Sequence, residues 1–337
     1  MNNPVFITGM LRSGTTYLDK ILHNHPQINI SSQPLFSLFI HVMNKFKTLN
    51  KIDSFYPISF ESIDSKDINN FLENLILDSN DVDAIKKIQS KIAYNISEND
   101  FHNLLSNCKY PIKFSNLMEI FITELQSKNT QIGFKEVICE DFISYFLLKD
   151  YKVLHVVRNP LSVMNSLHFG DFEKWTGMEK SLLYNILMWK KSVKCISNNS
   201  ISHNYYHLAF EDIINQDLTY HDLLKFLNVS SQNIQKKLYD QKNNEWKNNS
   251  SFNKPNNSNL NLSSEQILFI EKMCFEEMEF LGYQFRSSIK ELLDFNIEKF
   301  QFSEKKTNDI QKSLTSLNQN AIIQNELFNK KNKNRFQ

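Results

Sequence analysis

The chain is poor in glycine, with 6 in 337 residues, and two of these, Gly9 and Gly14, fall in one short stretch. Such scarcity argues that both are there for backbone geometry. Cysteine is sparser still: Cys108, Cys139, Cys195 and Cys274 lie far apart, with no CxxC pair. That spacing speaks against a disulfide framework or a zinc site and for a reduced, intracellular thiol set. Charge of one sign is lacking too, with 38 basic against 37 acidic side chains and a net charge of +1. A nucleic-acid partner, which needs a basic face, is therefore not expected. No apolar run approaches the length of a membrane span. A first strand starting near Pro4 leaves no room for a signal peptide, so a cytoplasmic protein is expected.

What is present is apolar and aromatic: 41% hydrophobic residues, including 27 phenylalanines, which argues against global disorder. A chain of this length can bury a large core, as one large α/β domain or two smaller ones. Its organising stretch is Gly9-Met10-Leu11-Arg12-Ser13-Gly14-Thr15-Thr16. The apolar run Val5-Phe6-Ile7-Thr8 precedes it, and Tyr17, Leu18, Ile21 and Leu22 recur after it at helical spacing. The reading is strand, tight turn, helix. Amide N–H groups at such a helix start have no intrahelical partner and face the positive end of the helix dipole, so they suit a phosphate or sulfate.

Further along, Pro26 should end the first helix, a short strand is expected at 28–30, and a helix from Leu35 to Phe46. Residues 47–130, rich in Asn, Ser, Asp and Lys, read as a mostly helical insertion with patches at 68–77, 83–93 and 117–125. Core-like sequence returns at Gln131–Lys135, followed by a helix over 142–148. Lys152–Val157 is the clearest buried strand; it ends at Arg158-Asn159-Pro160, where Asn159 can cap a helix and Pro160 fits its first turn. A long helix at 180–196, a strand at 205–210 and helices at 220–227 and 264–281 complete the pattern, with the Asn-rich segment 241–259 before the last. Strands alternating with helices predict an α/β fold with a parallel, doubly wound sheet. The expected division is one α/β domain over 1–290 and a helical or frayed tail over 291–337.

The spacing Gly9-x-x-x-x-Gly14 is that of a P-loop, but Thr15 stands where a nucleotide-hydrolysing loop carries lysine. The best strand ends in Arg158, where such an enzyme would want a Mg²⁺-holding aspartate. Both absences turn the reading away from a P-loop nucleotide kinase, which remains the alternative enzyme class. Arg12 instead places a fixed cation in the loop, suited to a transferring sulfuryl or phosphoryl group without metal.

The Gly9–Thr16 stretch, with His25-Pro26 closing its helix, resembles the 5′-phosphosulfate loop of the sulfotransferase family. The family has a P-loop-like parallel sheet and transfers a sulfuryl group from 3′-phosphoadenosine 5′-phosphosulfate (PAPS) to an acceptor hydroxyl or amine without metal. Val156-Val157-Arg158-Asn159-Pro160 and Ser166 resemble its 3′-phosphate site, with Asn159 in place of the commoner aspartate. Asn159, Ser162 and Ser166 would share one helix face, and Arg158 and Ser166 would clasp one phosphate. Gly133-Phe134-Lys135-Glu136, the Glu211-Asp212 segment and Gly282-Tyr283 are weaker echoes, so the likeness covers roughly 1–46 and 131–283.

The resemblance implies that Arg12, Ser13, Gly14, Thr15 and Thr16 hold the phosphosulfate, with Lys135 a second cation at the sulfuryl group. An arginine in the loop is similar to the protein-tyrosine and related bacterial-type branches. Ser251 and Lys254 fall where the family places a loop over the nucleotide. Neither familiar general base is present: Gln33 and Val137 occupy the expected positions. Glu136 and His168, and after them His23 and His25, are the remaining candidates. A catalytically inactive protein that binds PAPS or its bisphosphate product is thus a further alternative. The acceptor is expected to be a small molecule or a glycan.

Overall fold

The computed structural model describes residues 3–52, 63–89, 96–125, 131–169, 182–215, 217–230, 245, 260–297 and 300. Ser251, Lys254, the Asn-rich segment other than residue 245, and the tail beyond residue 300 lie outside the described residues. The chain divides into two compact units, one comprising 1–157 and 195–255, the other 158–194 and 256–337.

The first unit is built on a five-stranded parallel sheet of order β2-β5-β1-β6-β7. Its strands are β1 (Val5–Thr8), β2 (Ile28–Ser32), β5 (Gln131–Lys135), β6 (Lys152–Val157) and β7 (Tyr205–Ala209). Strands β1, β5 and β6 are buried along their whole length, as expected for continuous apolar runs covered on both faces. The register sets Val5 beside Gly133, Phe6 beside Phe134 and Ile7 beside Lys135. Paired residues of parallel strands point to the same face, so successive pairs alternate between two different cores.

One face carries Val5, Ile7, Leu154 and Val156 beneath helix α1 (Thr15–His23) and the apolar residues Phe210, Ile213, Tyr220 and Leu223. The opposite face is aromatic. Phe6 lies 5.2 Å from Phe134 and 4.6 Å from Phe146, and Phe39 stacks on Phe142 at 4.5 Å. Phe39, Phe142 and Phe146 come from α2 (Phe36–Leu49), a 3₁₀ turn (Glu140–Phe142) and α7 (Ile143–Leu148). Each such ring contributes roughly 2–3 kcal/mol by burial. The chain leaves β1 toward β2 on one side of the sheet, and later joins β1 to β6 on the other. That places a topological switch point at the carboxyl end of β1, where open α/β sheets bind ligands.

The region 47–130 is largely helical, as expected, with α3 (Ser65–Asn74), α4 (Ser79–Gln89), α5 (Ile96–Asn107) and α6 (Phe114–Leu125). It also holds a two-stranded antiparallel ribbon, β3 (Ile76–Leu77) and β4 (Ile112–Lys113). The expected helical patch at 68–77 therefore ends at Asn74, and its last residues pair as strand. Strand β2 runs two residues past the expected 28–30 because Ser31 and Ser32 pair with Phe134 and Lys135. Phe210 opens α10 (Phe210–Asn215) rather than closing β7.

In the second unit α8 (Pro160–Phe169) packs on α12 (Ser264–Met273), and the Asn261 N–H donates to Asn165 Oδ1 at 2.7 Å. Ser263 and Gln266 form a reciprocal capping box at the start of α12. The helix expected over 264–281 is broken at Cys274 into α12 and a shorter helix, Phe275–Phe280. Lys190 ties to this pair, donating to Met273 O and Glu277 Oε2, each at 2.7 Å.

His155, in the middle of the buried sheet, gives a testable consequence. Its Nδ1 lies 2.7 Å from the Tyr205 hydroxyl, and its Nε2 is 4.0 Å from Glu140. Burial, with a smaller contribution from His207, lowers its pKa to about 3, so it is neutral at pH 7 and the Glu140 contact is not an ion pair. An unfolded histidine titrates near 6.5, so between about pH 6.5 and 3 the unfolded chain binds the extra proton. Stability should fall over that window, by up to about 1.4 kcal/mol per pH unit from this group. Urea unfolding at pH 7 and pH 5 should show a smaller loss for His155→Gln than for the wild type; equal losses would assign the slope to other groups.

Candidate functional site

The turn at the carboxyl end of β1 is shaped by exclusion. A β-carbon on Gly9 would lie 2.3 Å from the Val156 carbonyl oxygen, and one on Gly14 would lie 2.1 Å from the Phe210 ring. Gly14 also sits at φ +102°, in the region that side chains disfavour. Between them the Ser13 N–H donates to Met10 O at 3.1 Å. Gly14 is the N-cap of α1 and supplies no side-chain cap, so the first-turn amides of Thr15 and Thr16 have no capping side chain. The Ser13 hydroxyl is buried with no hydrogen-bond partner. An uncapped helix start behind a turn closed to β-carbons, with an orphaned buried hydroxyl, fits an anionic group.

Arg12 and Thr16 are exposed, whereas Ser13 and Thr15 are buried. Arg12 holds φ +66°. Among the described residues, two more of the six non-glycine residues at positive φ stand nearby in the fold: Gln33 at +51°, paired to Lys135, and Ile138 at +53°, paired to Gly9. Left-handed backbone at a non-glycine residue costs about 1–2 kcal/mol, most acutely for a β-branched one. Such strain gathers at functional sites because packing elsewhere over-determines the backbone there.

The segment following β5 is laced to the same turn. The Glu136 N–H donates to Ile7 O at 2.9 Å, Ile138 N–H to Gly9 O at 2.9 Å, and Cys139 N–H to Thr8 Oγ1 at 3.3 Å. Lys135 is thereby fixed beside Ile7, on the face that α1 covers. It is 1% exposed. Its Nζ donates to Gln33 Oε1 at 3.2 Å, and the Gln33 N–H donates back to Lys135 O at 2.7 Å. Burial lowers the Lys135 pKa; Asp19 first, then Glu136, pull it back up, while Lys20 lowers it.

The expected base candidates divide. Glu136 is fully buried, and its Oε1 accepts the Leu35 N–H at 2.6 Å, anchoring the chain after β2. His25 uses both ring nitrogens: Nδ1 accepts from Gln27 N–H at 3.1 Å, so Nε2 carries the proton and donates to Ser230 O at 3.0 Å. That makes the histidine of His25-Pro26 a structural clasp at the end of α1. His23 is half-buried, and Val137 is buried. His168 lies on α8, in the second unit, and is half-buried.

Arg158 and Ser166 also belong to the second unit. There Asn159 caps α8, its Oδ1 accepting the Leu161 N–H at 3.0 Å, and the Arg158 carbonyl accepts Trp189 Nε1–H at 2.9 Å. Arg158 and Ser166 are both half-buried, Ser166 two turns into the helix. The sequence reading passed over Asp19. It is fully buried, with no hydrogen-bond partner on either carboxylate oxygen. Its signal was a charged residue set inside the apolar stripe of Leu18, Ile21 and Leu22.

A sequence model of the sulfotransferase family matches residues 4–69, the stretch that holds this turn, α1, β2 and α2. A search of curated proteins finds no match. Among solved structures, the sulfotransferase domain of a Synechococcus olefin synthase is 16% identical, covering 69% of this chain and 76% of that one, with a TM-score of 0.41. The sulfotransferase domain from the curacin biosynthetic pathway is 13% identical, covering 94% and 98%, with a TM-score of 0.41. A Mycobacterium tuberculosis sulfotransferase is 14% identical over 69% of each chain, with a TM-score of 0.37.

Gly14→Ala tests the geometry of the turn. Positive φ and the Phe210 ring together should destabilise the protein by about 1–3 kcal/mol, and inorganic sulfate should protect the variant less than the wild type against thermal unfolding. A variant with wild-type melting and wild-type sulfate protection would show that the turn tolerates a β-carbon.

Proposed function

We propose, from a loop and first helix of sulfotransferase-family type, that the protein transfers a sulfuryl group from PAPS to an acceptor hydroxyl or amine. The observation that carries this reading is the turn at the end of β1: glycines closed to side chains, an uncapped helix start, and a buried lysine laced to it. PAPS would supply the activated sulfuryl group. Ser13, Gly14, Thr15 and Thr16 would hold its 5′-phosphosulfate through amides and hydroxyls. The role proposed for Arg158, just before α8, and for Ser166 on α8 is to hold the 3′-phosphate. Ser251 and Lys254 remain proposed nucleotide contacts on sequence grounds.

Arg12 cannot give up its proton at neutral pH, so its part is electrostatic: it meets charge that builds on the sulfuryl oxygens during transfer. Lys135 would be the second cation, with one of its three N–H groups already oriented by Gln33. No metal is invoked; among the described residues no group of acidic, His or Cys side chains is arranged to hold one. None of the four cysteines is in a disulfide; a cytoplasmic setting is part of the proposal. Among the described residues no helix is long and apolar enough to cross a membrane. The acceptor is proposed to be a small molecule or a glycan.

Gln33 favours a second reading, a protein that binds the nucleotide without transferring from it. Its amide is engaged with Lys135 and cannot take a proton from an acceptor at pH 7. Glu136 and His168 are the base candidates for the first reading. Turnover of PAPS across an acceptor panel separates the two.

Thermal unfolding with adenosine 3′,5′-bisphosphate and with ATP–Mg²⁺ tests the donor. At about 100 times its Kd the bisphosphate should add about 2.7 kcal/mol, and ATP–Mg²⁺ should add little. Stabilisation by ATP–Mg²⁺ alone would favour a nucleotide kinase and sink the PAPS reading. Arg158→Ala should weaken bisphosphate binding at least tenfold. Arg12→Ala should abolish transfer while keeping most of that affinity, and retained turnover would refute its role.

A further inference from the structure

Asp19 is a fully buried acidic residue. It lies on α1, one turn beyond the uncapped start, and is 0% exposed with neither oxygen hydrogen-bonded. Stripping a carboxylate of water and of every hydrogen bond is costly by several kcal/mol unless a cation compensates. Helix α1 covers the face of the sheet that bears Val5 and Ile7. Lys135 shares that face, because it pairs with Ile7 in the β1–β5 register, while Phe134 points to the aromatic side. Asp19, Glu136, Lys20 and Lys135 are all buried, and the first three act electrostatically on Lys135. Glu136 is committed to Leu35. Lys20 is on α1 beside Asp19 and opposes protonation of Lys135.

We infer that Asp19 is the counter-charge of Lys135, holding the buried lysine as an ammonium through the field and not through a salt bridge. A carboxylate in contact with Nζ would take one or two of its N–H groups and neutralise it locally. At a remove, Asp19 offsets the burial that would otherwise discharge the lysine, and among the described residues Gln33 alone draws on its N–H groups. Asp19 is thus a positioning residue, acting through Lys135. Its importance for transfer rests on the proposed role of Lys135 as second cation; the charge relation itself does not.

The test follows the lysine directly. Full-length protein carrying ¹³Cε-lysine, with the Lys135 signal assigned by Lys135→Arg, is titrated by NMR as wild type, Asp19→Asn and Glu136→Gln. Loss of an opposite charge that acts on a lysine lowers its pKa, by about one unit or more for a near neighbour. Asp19→Asn should therefore shift the Lys135 midpoint down by at least about tenfold in proton affinity, and further than Glu136→Gln does. The alkaline limb of any PAPS turnover should move to lower pH with it. An unchanged midpoint in Asp19→Asn, or a larger shift in Glu136→Gln, overturns the assignment. Should Asp19→Asn not fold, the double variant Asp19→Asn/Lys135→Met decides: its recovery supports the pairing, and its failure overturns it. Bisphosphate binding, measured on the wild type by calorimetry, is separate; its absence with the NMR shift intact would sink the PAPS reading and leave the counter-charge standing.

Discussion

The close approach of β1's exit to its neighbours constrains everything around it. The Val156 carbonyl on one side and the Phe210 ring on the other leave no space for a β-carbon at Gly9 or Gly14. The same crowding occurs one strand over, where a β-carbon on Gly133 would lie 2.2 Å from Val5 O. A protein with so few glycines places three of them where backbone meets backbone or ring. The consequence is a turn tight enough to aim bare amides outward from the sheet. Hydrogen bonds from Glu136, Ile138 and Cys139 to Ile7, Gly9 and Thr8 then transmit that geometry to β5. Left-handed Arg12, Gln33 and Ile138 store the cost, and the two cores on either face of the sheet supply the packing that keeps them there.

Much of this was legible in the sequence. The apolar run Val5–Thr8, the glycines and the helical period after them located the strand, turn and helix, and Lys152–Val157 was read to the residue because a buried parallel strand is a continuous apolar run. Asn159 and Pro160 announced a capped helix through chemistry local to a few residues. What escaped was set by partners distant in sequence. The β3–β4 ribbon joins Leu77 to Ile112 and carries no periodicity of its own. Ser31 and Ser32 read as turn residues, yet Phe134 and Lys135 draw them into the sheet. Cys274 interrupts a helix whose apolar pattern runs straight through it.

The site was legible in its residue types and less so in their states. Arg12 and Lys135 read alike from sequence, as two cations for one anion. In the fold they are opposites: Arg12 is exposed and always charged, and Lys135 is buried, with Asp19, Glu136 and Lys20 acting on it. An exposed guanidinium on a strained turn can follow charge as it moves. In the proposed reaction a buried ammonium cannot, and its value would lie in needing no reorganisation when charge develops nearby. That value exists only while the lysine keeps its proton against burial. Glutamine at position 33 is neutral and offers no negative charge to Lys135. The compensation therefore has to come from across the helix–sheet interface, and among the charges buried there Asp19 is the carboxylate with no other bond to make.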